Sequence, residues 1–461
     1  MSASIQFCGA ARTVTGSRHL LRLGKKIVLV DCGLFQGARE LRDRNWEPFP
    51  VDPTEIDAIV LTHAHADHIG YLPRLVKLGY RGPVYSTSGT RSLARLSLPD
   101  SGRLQEEEAR YRNKVGATRF SPALPLYTER DAYDALKQFE TVRYGERLGL
   151  PGGATLVYLP AGHIMGSAFA EITLPGGERL LMSGDLGRYN TPIIKDPTPV
   201  AAAEYLVIES TYGNRLHTDA NPQDQLEELV GGAIQAGHCV LVPSFAIGRT
   251  QDLLFHLRAL QDAGRLPRFP IFVDSPMASR ATVEYLKASE EHDLETQDLS
   301  GRGENPLEPD YLEFVRDREA SKELNVRPGP MLIISGSGMA SGGRVVHHLK
   351  QRLPDPNTLV LFTGYQSVGT LGRRLVDGEQ TVTIMRQEVS VRARIEMLDT
   401  MSAHADQREI LTWLRNFEKP PKRTFLVHGE PDAQDTLRAV IEKELGWEVA
   451  VPSHLETCEL A

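Results

Sequence analysis

Residues 61–70 read LTHAHADHIG, and within six residues they carry four side chains able to hold a metal: His63, His65, Asp67 and His68. The cluster follows an apolar run, DAIVLT, that reads as a strand. It precedes IGYLPRLVKLGY, whose apolar positions recur at helical spacing. In a loop between such elements His63 and His65 can point one way. Asp67 and His68, at the helix start, can point to a neighbouring position. Neutral imidazole and carboxylate are ligands that zinc accepts, and two closely placed ions need a ligand set of this density. The bland alternative, a histidine-rich surface turn, gives the crowding no purpose.

Outward from this stretch, the first two hundred residues alternate short β-rich runs with turns, among them HLLRLGKKIVLVDCG, ATLVYLPAGH, ERLLMSGDLG and AEYLVIES. Several end in a polar or ionisable residue followed by glycine, the layout expected when strands deliver side chains to a common edge. Two such residues complete a ligand set: His163 in PAGHIMGS and Asp185 in MSGDLG. After Thr211 the rhythm becomes strand–helix–strand–helix (GHCVLVPSF, GRTQDLLFHLRALQDAG, PIFVDSP, MASRATVEYLKAS), which predicts a second, parallel-sheet α/β domain. A charged segment at 288–328 interrupts it with little periodicity. From about Val391 the earlier style returns, with a loop containing SAHAD, a helix REILTWLRNFEK and a strand TFLVHGE. The expected organisation is a first domain over 1–210 and 393–461, with a second domain inserted at 211–392.

The tetrapeptide AHAD thus occurs twice, at 64–67 and 403–406, and the later copy lacks the flanking histidines. His404 could be a remnant of a second metal site, a chance repeat, or part of the first site arriving from far along the chain.

Composition bounds the reading without deciding it. The 461 residues are 41% hydrophobic and 24% charged, ordinary values for globular domains. A net charge of −8 argues mildly against nonspecific coating of nucleic acid but leaves room for a local basic groove. The four cysteines are widely spaced and form no CxxC pair, which speaks against a disulfide framework or a cysteine zinc site. With no leader-like start and no membrane-length apolar run, a cytoplasmic protein is expected.

Asp31 in VLVDCG, then HAHADH, His163 and Asp185, in that order, resemble the metallo-β-lactamase fold, an αββα sandwich. Glu209 in LVIESTYGNR, His404 in MSAHAD and His428 in FLVHGE further resemble its β-CASP group, whose members include the endonucleases of cleavage and polyadenylation specificity factor and RNase J. VPSFAIGRTQDLL and ISGSGMASGGR resemble the inserted domain of that group. The resemblance implies an α/β protein with an inserted β-CASP domain and two Zn²⁺ per chain. One ion would take His63, His65 and His163, and the other Asp67, His68 and His428. Asp185 would lie between them, and Asp31 would accept from a ligand histidine N–H and so orient its ring. RNA-acting members of the group place histidine at the position of His428, whereas DNA-repair members usually carry valine.

The resemblance implies a ribonuclease cutting single-stranded RNA with a hydroxide held between the ions. A leaving oxygen must still be protonated. A histidine committed to zinc cannot do this, whereas His404 with Glu209 as its carboxylate partner can. Asp406 reads as the start of the following helix rather than as a ligand. For substrate grip, the glycine-rich GSGMASGGRVV, with Ser337, Gly338 and Arg344, offers N–H groups to a phosphate. Ser402, Arg249, the Gly364–Gly372 stretch and Arg373–Arg374 are further candidates. A DNA nuclease, a small-molecule metallo-hydrolase and a non-enzymatic RNA-binding subunit are the rivals. Endonuclease and 5′→3′ exonuclease modes share all these residues. Oligomeric state is not readable, a homodimer being one arrangement open to the chain.

Overall fold

The computed structural model describes residues 3–116, 121–364, 366–367, 369–398 and 400–460. The chain forms two compact units, the first made of Met1–Thr191, Lys195–Leu216 and His404–Ala461, the second of Pro192–Ile194 and His217–Ala403. These limits differ from the boundaries expected at 210/211 and 392/393. Residues 211–216 stay with the first unit, where Tyr212 bridges to Asp406. Arg394–Met397 is a strand of the second unit, paired in parallel with Thr358–Phe362. That edge strand reads RIEM and buries no residue fully, so no apolar run announces it.

The first unit is built on two seven-stranded sheets. One runs, in spatial order, Thr457–Glu459, Ala3–Phe7, His19–Leu23, Lys26–Val30, Ala58–Val60, Val84–Ser86 and Phe139–Thr141. The other runs Val449–Ala450, Arg423–Val427, Tyr205–Glu209, Arg179–Met182, Ala168–Thr173, Thr155–Pro160 and Arg147–Gly149. Side-chain alternation along a strand explains the layering. Val207, Phe425 and Val427 share one core with Phe7, Val28 and Val30 of the facing sheet. Leu206, Ile208 and Leu426 point the other way, into a core with Ile410, Trp413 and Leu414 of the helix Gln407–Leu414 and with Leu437 and Ile441 of the helix Pro431–Leu445. Truncating such a residue costs about 2–5 kcal/mol.

After Ser86 the chain enters a 28-residue helix, Ser88–Val115, capped by Thr87 and closed by Gly116 at φ +63°. Pro99 lies within it, which explains why no uninterrupted helical pattern is legible there.

The second unit carries a six-stranded, wholly parallel sheet in the order Leu312–Phe314, Ile271–Val273, Met331–Ser335, Cys239–Pro243, Thr358–Phe362 and Arg394–Met397. Its three central strands, MLIIS, CVLVP and TLVLF, are buried at every residue, as strands covered on both faces are. The charged stretch 288–328 contains the helices Leu294–Gly301 and Arg318–Val326 and the edge strand Leu312–Phe314.

Candidate metal centre

The first unit's strands converge on one edge, where their C-terminal ends deliver polar side chains. Asp31 follows Lys26–Val30, Thr62 and His63 follow Ala58–Val60, and Asp185 follows Arg179–Met182. Glu209 ends its strand, and His428 follows Arg423–Val427. Asp31 and His428 adopt the left-handed region, at φ +58° and +51°. Such a conformation costs a non-glycine residue about 1–3 kcal/mol and persists where surrounding bonds over-determine it. Asp31 donates its N–H to the Val60 carbonyl at 2.9 Å and His428 to that of Ala10 at 2.7 Å. Gly33 lets the loop after Asp31 press on the HAHADH turn, since a Cβ there would lie 1.6 Å from the Asp67 carbonyl oxygen.

His63, His65, His163 and Asp185 each place a donor atom within 4.8 Å of the others, and so do Asp67, His68 and His428. His65 Nδ1 lies 3.2 Å from His63 Nε2 and 3.1 Å from His163 Nε2. Asp185 Oδ2 lies 3.3 Å from His63 Nε2 and 3.5 Å from His163 Nε2, while Oδ1 lies 3.2 Å from His68 Nε2 and 3.6 Å from His428 Nδ1. Asp185 therefore spans both groups. Asp67 Oδ2 is 3.3 Å from His428 Nε2.

Neighbouring groups set the tautomers. The Thr62 hydroxyl donates to Asp31 Oδ2 at 2.9 Å, so its oxygen accepts from His63 Nδ1 at 3.1 Å and the lone pair falls on Nε2. Asp31 Oδ2 takes His68 Nδ1 at 2.7 Å, which likewise aims Nε2 inward. The Thr211 hydroxyl donates to the His428 carbonyl at 3.2 Å and accepts from its Nδ1 at 3.1 Å. Thr62 and Thr211 are partners of candidate ligands that are not marked as such in the sequence. Their only signal is adjacency, Thr62 to His63 and Thr211 to the Glu209 strand end.

Electrostatics divide the histidines. Burial, reinforced by neighbouring imidazoles, holds His65 down to about 3 and lowers His63 and His163 as well. For His68 and His428 burial acts in the same direction but is outweighed, chiefly by Asp185, and both are raised. Asp185 is held well below the usual carboxylate range because the surrounding histidines overcome its burial.

A metal fits this donor set. Asp185 Oδ1 is buried and has no hydrogen-bond partner among the described residues, although two imidazole nitrogens lie close to it. His65 Nδ1 faces two imidazole nitrogens at hydrogen-bond distance, and these three neutral rings together with Asp185 present nitrogen and oxygen donors of the kind zinc accepts.

His404 stands at the edge of the cluster. Its Nδ1 is 3.0 Å from Glu209 Oε1 and 4.0 Å from Asp185 Oδ2. Asp185, Glu209 and His404 also converge closely enough for an ion. The fully buried Glu209 carboxylate is, however, already engaged: Oε1 accepts from Leu186 N at 2.7 Å and Oε2 from Thr211 N at 3.2 Å. Burial lowers the His404 pKa, but Glu209, then Asp185 and Asp67, prevail and bring it up to about 9.

The residues read as substrate-binding all lie in the second unit. Ser402 is buried. The Ser337 hydroxyl accepts from Ser341 N at 3.0 Å inside the glycine-rich loop. Arg344 Nη1 is 2.5 Å from the buried Asp274, and Arg249 Nη1 is 3.2 Å from Asp252. Arg373 and Arg374 pair with Asp377 and Glu379. In the Gly364–Gly372 stretch, Tyr365 and Val368 lie outside the described residues.

An αββα sandwich whose strand ends gather five histidines and two aspartates defines a metal-dependent hydrolase. Comparison with known proteins agrees with that class. Residues 16–225 match the metallo-beta-lactamase superfamily, residues 250–375 the Beta-Casp domain, and residues 388–452 the Zn-dependent metallo-hydrolase RNA specificity domain. Ribonuclease TTHA0252 of Thermus thermophilus is 41% identical over 92% of each chain. Transcription termination factor FttA of Cenarchaeum symbiosum is 30% identical, covering 98% of this chain and 69% of its own length, and that of Pyrococcus abyssi is 30% identical over 98% and 70%. A protein of unknown function from Enterococcus faecalis, 13% identical, shares the fold over 100% of both chains with a TM-score of 0.55. The chain belongs to the β-CASP family of the metallo-β-lactamase superfamily. Among the described residues no helix is long and apolar enough to cross a membrane.

Proposed function

We propose that the chain is a zinc-dependent ribonuclease that hydrolyses phosphodiester bonds of single-stranded RNA. The ribonuclease relative and the match to an RNA specificity domain support the substrate class. In this reading His63, His65 and His163 would hold one zinc ion and Asp67, His68 and His428 a second, with Asp185 within reach of both groups. When bound, zinc supplies a water of lowered pKa and positive charge against the phosphate oxygens.

The chain's own residues do the rest. Thr62, Asp31 and Thr211 hold three of the ligand rings in the tautomer that turns a lone pair inward. Glu209 holds His404 by Nδ1, which makes Nε2 the atom that gives its proton to the leaving oxygen. Against burial, Glu209 brings the His404 pKa up to about 9, so the ring carries its proton at neutral pH and has one to give. The single observation that carries this reading is the 3.0 Å His404–Glu209 pair set beside a complete ligand cluster. Ser402, Ser337 and Gly338 are proposed contacts to the strand. Arg249 and Arg344, paired with acids, are proposed to brace the second unit rather than to meet phosphate. A cytoplasmic location is part of the same reading, consistent with four free, buried cysteines.

The test is cleavage of 5′- and 3′-labelled single-stranded RNA against matching DNA, with and without a chelator. Zinc-dependent cutting of RNA, lost on chelation and regained with zinc, is expected, and the two labels separate endonuclease from 5′→3′ exonuclease products. Chelator-insensitive cutting, or a preference for DNA, would overturn the proposal.

A further inference from the structure

In the second unit, three strands of the parallel sheet end together. Cys239–Pro243 leads into Ser244 and Phe245, Ile271–Val273 into Asp274 and Ser275, and Met331–Ser335 into Gly336, Ser337 and Gly338. A Cβ on Gly336 would lie 3.5 Å from Ser275 Oγ and 3.8 Å from the Ser244 carbonyl oxygen. From Cys239–Pro243 the chain crosses to Ile271–Val273 on one side, whereas from the adjacent Met331–Ser335 it crosses to Thr358–Phe362 on the other. Ligands of open parallel sheets bind at such a reversal, outside the carboxyl ends of the strands.

Phe245 sits at this reversal and is 39% exposed, the most open phenylalanine among the described residues. One side of its ring rests on bare backbone. A Cβ at Gly338 would come within 2.7 Å of Phe245 Cδ2 and 2.9 Å of Cε2. Gly338 has no positive φ, so the close approach of Phe245, by its ring and by its backbone nitrogen at 2.9 Å, rather than the backbone conformation of Gly338, is what excludes a side chain there. Both partners are held: the Phe245 carbonyl accepts from Thr250 Oγ1 at 2.8 Å, and that of Gly338 from the buried Gln366 Nε2 at 3.1 Å. The nearby arginines are drawn into acid pairs, so this edge presents a fixed aromatic face. An aromatic face can stack any base without a hydrogen-bond code.

Resting on the ribonuclease reading, we propose that Phe245 is the stacking platform for one base of the RNA strand. The test is a double-mutant cycle on the zinc-loaded enzyme, pairing Phe245→Ala with a single abasic nucleotide moved stepwise along a fluorescent single-stranded RNA. Phe245→Ala is expected to weaken binding about 5- to 100-fold. At one nucleotide position the abasic site should cost the wild type a similar factor and the variant almost nothing. Phe245→Trp should keep the affinity, and its added fluorescence should be quenched by RNA. It also tests the platform if the alanine variant fails to fold. Additive losses at every position, or an unquenched Trp variant, overturn the platform. If the wild type meanwhile still cuts RNA, the ribonuclease reading survives. If the zinc-loaded wild type neither binds nor cuts RNA, both fall.

Discussion

The two copies of AHAD, at 64–67 and 403–406, share four residues and diverge in every contact that matters. In the first, the helix Ala66–Ile69 has already begun when the chain reaches the aspartate, and Asp67 faces His428 Nε2 at 3.3 Å. In the second, the helix Gln407–Leu414 begins just after it. Asp406 accepts from Glu409 N at 2.8 Å and gives its own N–H to Glu409 Oε2 at 2.9 Å, a closed capping box. The histidines diverge as sharply: His65 Nδ1 meets two imidazoles, whereas His404 Nδ1 meets the Glu209 carboxylate. Their pKa values part accordingly, to about 3 and about 9. What a short motif does is thus decided by where the next helix starts and by what waits across the fold.

The largest effect expected from breaking this comparison is at Asp67. On the proposed ligand set, Asp67→Ala should release one of the two proposed zinc ions and lower RNA cleavage beyond the roughly 10²–10⁴-fold that a general acid contributes. Zinc retention should also be pH-dependent. His68 and His428 are raised in the metal-free protein, so zinc must displace their protons and binds less tightly as pH falls. Metal analysis of dialysed protein across pH checks both points. Two ions retained by the variant would remove Asp67 from the ligand set.

Next comes the proposed proton donor. His404→Ala should keep both ions and lose about 10²–10⁴-fold in kcat. Glu209→Gln should act through the pH profile. The acid works protonated, so the alkaline limb marks its pKa. Removing the carboxylate that raises that pKa should move the limb to lower pH. An unmoved limb, or metal lost with His404, would sink the assignment.

How much of this was legible depended on local crowding. HAHADH announces itself, because four potential ligands in six residues have no ordinary structural use. His163, Asp185 and His428 are single residues whose only signal is an apolar run before them and a glycine nearby, and resemblance to the family supplied the rest. The partners behind the ligands, Thr62 and Thr211, were not legible, since a threonine at a strand end has no composition or spacing to mark it. In the fold, buried strands such as CVLVP and MLIIS could be read directly. The edge strand Arg394–Met397 could not, because its identity lies in backbone pairing to a strand some thirty-five residues away. Nor could the pairing of Arg344 with Asp274 be read, being a contact between residues far apart in the chain.

The smallest effect should be at Asp406, and it sharpens the contrast most. Its carboxylate is fully buried, and it satisfies the N–H of Glu409 at the start of a helix whose Ile410, Leu411, Trp413 and Leu414 are packed away. Removing an N-cap of this kind costs about 0.5–2 kcal/mol, so Asp406→Ala should lower stability by roughly that amount in a urea titration. Both zinc ions should remain, because the carboxylate faces the helix. Asp406→Asn should recover most of the loss, since asparagine caps as well as aspartate. At Asp67 the same change to asparagine keeps the shape but removes the charge, and it should still weaken zinc. If the two asparagine variants behaved alike, either both tolerated or both stripped of metal, the distinction between a ligand-facing AHAD and a helix-capping AHAD would not hold.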